Sequence, residues 1–375
     1  MRFPEFSGEW KKCKLGDLCN VLMCKRILVS QTNTEDGVPF YKIGTIGSTP
    51  DAYISKELFD DYKVKYNYPR KGEVMITCAG TVGKCVVYDG EDAYFQDSNI
   101  VWIDNPTQYI SNGFLFHLLS KVDWRKLNST TIIRIYNDDL RNLKMSYPRK
   151  EEQQKISHLL SLLDERIATQ NKIIEDLKKL KSAIIHRCYS SQTNMIPLSE
   201  LLKQCSDRNR SGSDLQVLSV SNKYGFIAQS NQFEDREVAS DDTSNYKVVK
   251  KGMFAYNPAR INVGSIALYE MDGNGIVSPM YVCFTTKSEL LPSYLKYYFA
   301  SQTFKHEMYK RLEGSVRLCL TFEELCNIEI HLPSIEQQKN ISKYISKIEN
   351  NLSLVDSIFS KYQQQRRYLL SQMFI

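Results

Sequence analysis

The stretch PRKEEQQKIS at residues 148–157 returns as PSIEQQKNIS at residues 333–342, 185 positions further along the chain. Each copy begins with a proline and leads into a long stretch with helical apolar periodicity. Upstream, the pair VG at 82–83 returns at 263–264, at an offset of 181. Such a slowly changing offset indicates a tandem duplication of one globular unit together with its helix. A duplicated chain is suited to grip an object that also has two parts.

Composition bounds the class of protein. The chain has 375 residues, which is enough for two modest domains with separate cores. A hydrophobic fraction of 42% and a charged fraction of 25% are ordinary for a soluble globular protein. The formal net charge of +6 is compatible with a polyanionic partner, although it does not require one.

The cysteine pattern and the lack of targeting patterns indicate the cellular compartment of the protein. The ten cysteines contain no C-x-x-C pair, and the five histidines have no cysteine partners at zinc-ligand spacing. We therefore predict reduced core cysteines and no metal site. We find no signal-peptide pattern and no apolar run long enough to span a bilayer. We expect a cytoplasmic protein with no membrane contact.

Short, aromatic-rich strands with glycine-containing turns precede each long helical stretch. VPFYKIGTIG at 38–47 and GMFAYNPARINVGSIALYEMDG at 252–273 are examples. This pattern predicts an α+β fold with two similar mixed α/β globular halves, related as a pseudo-twofold tandem repeat. The predicted boundaries are globular halves at 1–147 and 191–332, and helical spacers at 148–190 and 333–375.

Apolar residues in both helical stretches recur in alternating steps of four and three, which is the pattern of a heptad seam. The polar residues Gln170, Lys181 and Arg366 interrupt it, which indicates a specified pairing rather than maximal stability. The alternative is that each helix packs only on its own globular half. The predicted seam consists of Ile156, Leu160, Leu163, Ile167, Ile174 and Leu177 in the first helix and Ile341, Ile345, Ile348, Leu352, Phe359 and Tyr362 in the second.

Chain length predicts the direction of the helix pair. The seam of the first helix, from Ile156 to Cys188, is about 48 Å long at the helical rise per residue. Only residues 189–197 link it to the second globular half, and they reach at most about 30 Å. A parallel pair would require a return to the start of the first helix, which is beyond that reach. The two long helices are therefore predicted to form an antiparallel coiled coil.

Matching turns in the two globular halves carry polar and basic residues. Asn, Arg and Lys side chains pair with base edges in DNA, while Thr and Ser reach bases or phosphates. The alternative for each residue is a solvated turn, or a hydroxyl that caps its own backbone. The predicted DNA-binding residues of these turns are Thr77, Thr81 and Lys84 in the first half and Asn257, Arg260, Asn262 and Ser265 in the second. The matching segments before the two repeated prolines add Arg134 and Arg317 as predicted phosphate contacts, with a surface arginine without a partner as the alternative.

No constellation of residues predicts catalysis by this chain. GTVGK at 80–84 resembles part of a phosphate-binding loop, but Cys78 and Cys85 stand where that motif needs glycine and a hydroxyl residue. The order Asp51, Asp61, Lys63 is compatible with a metal-dependent nuclease centre. That reading remains open as an alternative of a different class, beside the main prediction of a chain without catalytic residues.

Four features together resemble the specificity (S) subunit of type I restriction–modification systems. They are RFPEFSGEW at 2–10, KLGDL at 14–18, TVGK at 81–84 and the repeated helix start, and the resemblance covers essentially the whole chain. It implies two target recognition domains, each of which reads one half of a bipartite, gapped DNA sequence. It also implies that the helices set the gap and dock two methyltransferase (M) subunits.

The resemblance further implies partners and cofactors. Double-stranded DNA, two M subunits and restriction (R) subunits would be the partners, with S-adenosylmethionine, ATP and Mg on those subunits and none on this chain. The first helix start reads EEQQKI and the second EQQKNI, so slightly different docking faces are expected. An S-like subunit with a fused methyltransferase–nuclease partner would have the same sequence features and stays open as an alternative.

Overall fold

The computed structural model describes residues 2–127, 134–191, 193–210, 215–229, 242–314 and 318–374. The predicted contact Arg317 lies outside these residues. The chain forms two compact units, one of Met1–Asn171 with Ile358–Ile375 and one of Lys172–Ser357. Each unit therefore holds one globular half and a part of both long helices.

The described part of the first globular half contains two larger sheets and a separate pair of strands. Its strands are β1 (Lys11–Lys14), β2 (Asn20–Leu22), β3 (Val38–Tyr41), β4 (Tyr53–Ile54), β5 (Val74–Thr77), β6 (Cys85–Val87), β7 (Tyr94–Phe95), β8 (Ile100–Asp104) and β9 (Lys144–Tyr147). Its helices are α1 (Lys56–Lys65), α2 (Asn112–Lys121), α3 (Trp124–Leu127) and α4 (Asn137–Arg141), and they lead to the long helix α5 (Lys150–Tyr189). One sheet has the antiparallel order β2-β8-β5-β6, and the other has the order β4-β3-β7 with β3 and β7 parallel. Strand β1 pairs with β9.

The second globular half repeats this plan. Its described strands are β10 (Met195–Pro197), β11 (Leu202–Cys205), β12 (Gln216–Ser221), β13 (Gly225–Ala228), β14 (Lys247–Val249), β15 (Phe254–Tyr256), β16 (Ile266–Leu268), β17 (Gly275–Val277), β18 (Val282–Thr286) and β19 (Glu329–His331). Its described helices are α6 (Leu198–Leu201), α7 (Pro292–Phe299), α8 (Gln302–Lys310) and α9 (Phe322–Cys326), before the long helix α10 (Ile335–Met373).

One sheet corresponds strand for strand between the two halves, whereas the other has three strands in the first half and four in the second. The second half has β11-β18-β15-β16 where the first has β2-β8-β5-β6, and its other sheet has the order β13-β12-β17-β14. Strands β12 and β17 are parallel, as β3 and β7 are, and β10 pairs with β19 as β1 pairs with β9. The predicted α+β tandem repeat is therefore confirmed.

In each globular half, both faces of the sheet that contains β5 or β15 are buried, which explains why these strands are continuously apolar. In β5, Val74 and Ile76 belong to the core beneath α2 and α5, whereas Met75 belongs to the core shared with α1. In β15, Phe254 and Tyr256 belong to one core and Ala255 to the other. A strand that is covered on both sides loses the apolar–polar alternation of a half-exposed strand.

The long helices begin close to the two repeated prolines and are 40 and 39 residues long. In the first compact unit, Arg366 of α10 pairs with Asp164 of α5, and Arg166 donates to the Tyr362 hydroxyl at 3.2 Å. Residue numbers fall along α10 as they rise along α5, so the helices are antiparallel there. In the second unit, Lys181 pairs with Glu349 at 2.6 Å.

None of the twelve predicted seam residues is exposed. Ile156, Leu160 and Leu163 also belong to the core of the first globular half, beside Leu369 and Leu370 of α10. The ends of the seam thus pack both on the other helix and on a globular half. The sequence left open whether the long helices pack on each other or each on its own globular half, and the structure shows both kinds of packing. Among the described residues, no helix unites the length and the apolar character that a membrane span needs.

Candidate nucleic-acid interface

The turn between β5 and β6 is organised by a buried threonine. Thr77 has no exposed surface, and its hydroxyl donates to the carbonyl oxygen of Thr81 and accepts from the backbone N–H of Lys84 at 3.1 Å. The carbonyl oxygen of Thr77 also accepts from Gly83 N–H at 2.8 Å. We therefore assign Thr77 the role of holding this turn, in place of the predicted DNA contact.

Two other predicted residues of this turn lie at the surface and fasten a neighbouring loop. The Thr81 hydroxyl donates to the Ile43 carbonyl at 3.1 Å, and the Lys84 ammonium donates to the Ile46 carbonyl. Gly83 permits the close fit, since its φ is 84° and a Cβ there would stand 2.2 Å from a ring carbon of Trp124. Thr81 and Lys84 thus present a polar surface that is fixed to a rigid turn.

Arg134 reaches the same turn from a distant part of the sequence. The N–H of Ile135 donates to the Cys78 carbonyl at 2.9 Å, which places Arg134 beside the turn. The Arg134 guanidinium donates to the Ser98 carbonyl at 3.3 Å and lies 5.9 Å from the ring centre of exposed Tyr136. Arg134 therefore lies beside the turn that carries Thr81 and Lys84.

The equivalent turn of the second half, between β15 and β16, is closed by an equivalent backbone hydrogen bond, although it is one residue longer and contains a 3-10 turn at Ile261–Val263. The N–H of Asn257 donates to the Ser265 carbonyl at 3.1 Å, as Thr77 donates to Lys84 in the first half. The Ser265 side chain is 4% exposed, and its hydroxyl donates to the Val220 carbonyl at 2.9 Å. Ser265 is therefore buried like Thr77, but its hydroxyl fastens the turn to β12, and we correct its predicted role accordingly.

The remaining predicted residues of this turn face outward to different degrees. The Asn257 side chain accepts from Ala259 N–H at 3.0 Å, and the Asn262 carbonyl accepts from the Tyr309 hydroxyl at 3.4 Å. Arg260 is exposed, and its guanidinium makes no hydrogen bond or ion pair with any residue that the structure describes. A guanidinium group that has no protein partner can donate hydrogen bonds to a base edge or a phosphate.

Aromatic and basic residues that the sequence reasoning missed surround the Arg260 turn. Tyr224, at the tip of the β12–β13 hairpin, is 68% exposed, and the Lys223 ammonium lies 5.0 Å from its ring centre. A cleft of about 450 Å³ runs beside the turn and is lined by Asn222, Asn262 and Lys305 over a floor that includes Phe304. The signal that could have found them is NKYG at 222–225, an amide, a lysine and an aromatic residue in a strand-linking turn.

The nuclease alternative receives no support from the geometry. Asp51 pairs with Lys42 at 2.9 Å, Asp61 with Lys65 at 2.5 Å, and Lys63 with Asp92 at 2.9 Å. Each residue of the supposed centre is thus engaged with a different partner. Within the described part of the chain, no group of three potential metal ligands comes together.

The cysteines whose thiol pKa is raised by burial are poor nucleophiles. Burial raises the pKa of the Cys78 thiol to about 11 and that of Cys85 to about 12. These thiols are therefore protonated at neutral pH, and a protonated thiol is a poor nucleophile. All ten cysteines are unpaired.

The repeated helix starts contain a buried glutamine with the same role in both halves. The Gln153 amide donates to the carbonyls of Tyr109 and Pro148, both at 2.9 Å, and accepts from Ser111 N–H at 2.8 Å. Gln338 makes the equivalent three bonds, to the carbonyls of Glu289 and Pro333 and from Leu291 N–H. The shared motif thus joins each long helix to its globular half.

The two helix starts differ in what covers them. Glu152 is fully buried and forms a two-bond ion pair with Arg2, each bond 2.7 Å long. The equivalent Gln337 is exposed and accepts from Ser334 N–H at 3.0 Å. The N-terminal segment therefore covers the first helix start through Arg2, whereas Gln337 of the second is exposed.

Comparison with known proteins gives consistent matches. The family described as "Type I restriction modification DNA specificity domain" matches residues 7–179 and 211–358. A type I restriction enzyme specificity subunit of Haemophilus influenzae is 49% identical over 167 residues, which cover 44% of this chain and 43% of that protein. The MjaVIII specificity subunit of Methanocaldococcus jannaschii is 24% identical over 94% of this chain and 88% of its own length.

Solved structures share the fold. The type I restriction–modification S subunit of M. genitalium has a TM-score of 0.64 at 16% identity and covers 98% of this chain and 96% of its own. A chain from a study of complex assembly and conformational transition in the type I R-M system has a TM-score of 0.53 at 15% identity and covers 97% of both chains. At such identities the likeness concerns the fold alone.

Proposed function

This chain belongs to the type I restriction modification DNA specificity family and is a specificity subunit, and from that premise we propose that each globular half reads one half of a bipartite, gapped DNA sequence. The observation that carries this proposal is the pair of equivalent turns at 77–84 and 257–265. They link equivalent strands and are closed by an equivalent backbone hydrogen bond, but they differ in length and in their side chains. Turns at equivalent positions with different side chains are suited to reading two different half-sites.

In this proposal, surface residues around the turns make the DNA contacts. Thr81, Lys84 and Arg134 contact the first half-site, whereas Asn257, Arg260 and Asn262 contact the second. The planar guanidinium of Arg260 suits two-bond recognition of a guanine edge. Arg317 is retained as a proposed phosphate contact. Thr77 and Ser265 support these contacts from beneath, through the hydrogen bonds of their hydroxyls.

The long helices have a different proposed role. We assign residues 1–147 and 191–332 to target recognition, and residues 148–190 and 333–375 to a spacer that sets the gap and docks two M subunits. R subunits complete the assembly. The catalytic groups and the cofactors S-adenosylmethionine, ATP and Mg belong to those partners, and this chain acts on double-stranded DNA in the cytoplasm without catalysing a reaction.

An exchange of one globular half tests the proposal. Residues 15–147 are replaced with the corresponding segment of a relative, and the complex with its M subunits is expressed in cells whose methylated DNA is then sequenced. We expect one half of the methylated sequence to change while the other half and the gap stay as in the wild type. A change in both halves, or in neither, would contradict the proposal.

A further inference from the structure

Two polar triads occupy equivalent positions in the two compact units. The first triad is His117 of α2, Asp164 of α5 and Arg366 of α10, and the second is Tyr297 of α7, Glu349 of α10 and Lys181 of α5. In each, a carboxylate on one long helix contacts a cation on the other long helix and a ring on a helix of the globular half. Each triad therefore brings three separate elements together, by hydrogen bonds throughout in the second triad, whereas in the first His117 Nδ1 forms no hydrogen bond with a described residue.

The second triad is fully hydrogen-bonded. The Lys181 ammonium donates to Glu349 Oε1 at 2.6 Å, and the Tyr297 hydroxyl donates to Glu349 Oε2 at 2.9 Å. Tyr297 is buried, while the side chains of Lys181 and Glu349 are about one third exposed. Both carboxylate oxygens are thus engaged, one towards the other helix and one towards the globular half.

The first triad has the same layout with different residues. The Arg366 guanidinium donates to both oxygens of Asp164, with Nη2 at 3.3 Å from Oδ2. His117 is 1% exposed, its Nδ1 lies 3.8 Å from Asp164 Oδ2, and its Nε2 lies 3.4 Å from the Ser161 hydroxyl. Burial lowers the pKa of His117 to about 4, so the ring is neutral at physiological pH.

Side-chain lengths compensate between the two triads. Aspartate is shorter than glutamate by one carbon–carbon bond, about 1.5 Å. The shorter Asp164 is paired with the long, forked Arg366, and the longer Glu349 is paired with Lys181. All three residue types differ between the copies, yet the carboxylate–cation contact and the neighbouring ring are kept. That outcome is expected where the position of the joint matters more than the residues that make it.

Stability alone does not account for these groups. A partly exposed ion pair contributes little to the free energy of unfolding, and an apolar residue at a seam position would often stabilise the helix pair more. Polar residues inside an apolar seam instead specify its register. A slip of the pair by one heptad would move Lys181 about 10 Å from Glu349 and break the contact.

We propose that the two triads are positioning devices, which fix the helix register and the angle at which each globular half is held on the helix pair, and thereby restrict the gap between the half-sites. This inference rests on the proposed function. Neighbouring gap lengths differ by one base pair, about 3.4 Å along the duplex and about one tenth of a turn. Contacts that bring two helices and a globular half together at one point are suited to distinguishing gap lengths that differ by one base pair.

The test measures which gap lengths are methylated. Complexes with wild-type chain, Lys181→Met or Lys179→Met are expressed, and methylation is counted at sites that share both half-sites but differ in gap. Lys179 is exposed on the same helix and has no side-chain partner among the described residues, so it is the matched control. We expect Lys181→Met to raise methylation at gaps one base pair too long or too short by about fivefold. Lys179→Met should match the wild type.

Compensating variants separate positioning from a merely structural role. Glu349→Asp alone shortens the carboxylate and should relax the gap, whereas Glu349→Asp with Lys181→Arg recreates the pairing of the first triad and should restore it. Arg366→Met tests the first triad independently. A uniform loss of methylation at every gap, or no rescue by the double variant, would overturn the inference.

The controls also distinguish this inference from the proposed function. If the wild-type complex methylates no two-part sequence, the proposed function itself fails. If the wild type methylates a gapped sequence and Lys181→Met and Arg366→Met leave its gap distribution unchanged, only the positioning role of the triads is refuted.

Discussion

Replacement of the buried glutamine at the first helix start, Gln153→Leu, should destabilise the first compact unit strongly. Leucine has a similar size, but it removes the two bonds donated to the Tyr109 and Pro148 carbonyls and the bond accepted from Ser111 N–H. Three polar groups lose their partner and each costs about 1 to 3 kcal/mol, so the free energy of unfolding should fall by about 3 to 9 kcal/mol. At about 2 to 4 °C per kcal/mol for a domain of this size, Tm should fall by at least about 6 °C.

Tryptophan fluorescence during urea unfolding is the appropriate assay, because all three tryptophans, Trp10, Trp102 and Trp124, lie in the first compact unit. The matched control is Gln154→Leu, which makes the same substitution at the exposed neighbouring position and should change the unfolding free energy by less than about 0.5 kcal/mol. A loss below about 1 kcal/mol for Gln153→Leu would refute the role assigned to this glutamine as the joint between helix and globular half.

Three further predictions concern the turn, the first triad and the fold. Arg260→Ala should lower methylation of sites with the wild-type second half-site by about 10- to 100-fold, measured by sequencing of methylated DNA, whereas Lys251→Ala, which removes an exposed lysine paired with Asp272, should not. Because the pKa of His117 is about 4 in the folded protein and 6.5 ordinarily, the folded state binds fewer protons between these values. The free energy of unfolding should therefore be constant above pH 6.5 and fall by about 3 kcal/mol towards pH 4, and His117→Gln should flatten this profile in urea titrations. Gly83→Ala should destabilise the first unit by about 1 to 3 kcal/mol more than Gly72→Ala, since both glycines have positive φ but only Gly83 is packed against Trp124; equal losses would show that the contact does not matter.

Features that depend on local periodicity were predictable from the sequence. The duplication, the helix starts after Pro148 and Pro333, and the full or partial burial of the seam residues all follow from spacing along the chain. The antiparallel direction within each unit was predictable too, because the short linker at 189–197 limits where the chain can go.

Features that depend on distant backbone were not predictable. A threonine in a turn can bond to its own backbone or to a ligand, and residue type does not decide between them; Thr77 is buried because the Lys84 backbone folds back over it. The role of Gln153 depends on the Tyr109 carbonyl and the Ser111 N–H, which are 44 and 42 residues away. Lys181 and Arg366 were recognisable as polar interruptions of the seam, but their carboxylate partners could be found only from the structure.

The most direct test of the central claim, that the two long helices set the gap between two half-sites, is a heptad insertion into both of them. Seven residues, one heptad, are added after Asn171 and again after Ser357, where the chain passes between the compact units. The helices should lengthen by about 10 Å, which is about three base pairs of duplex. Sequencing of methylated DNA should then show both half-sites unchanged and a gap longer by about three base pairs. An unchanged gap, or an altered half-site, would contradict the account.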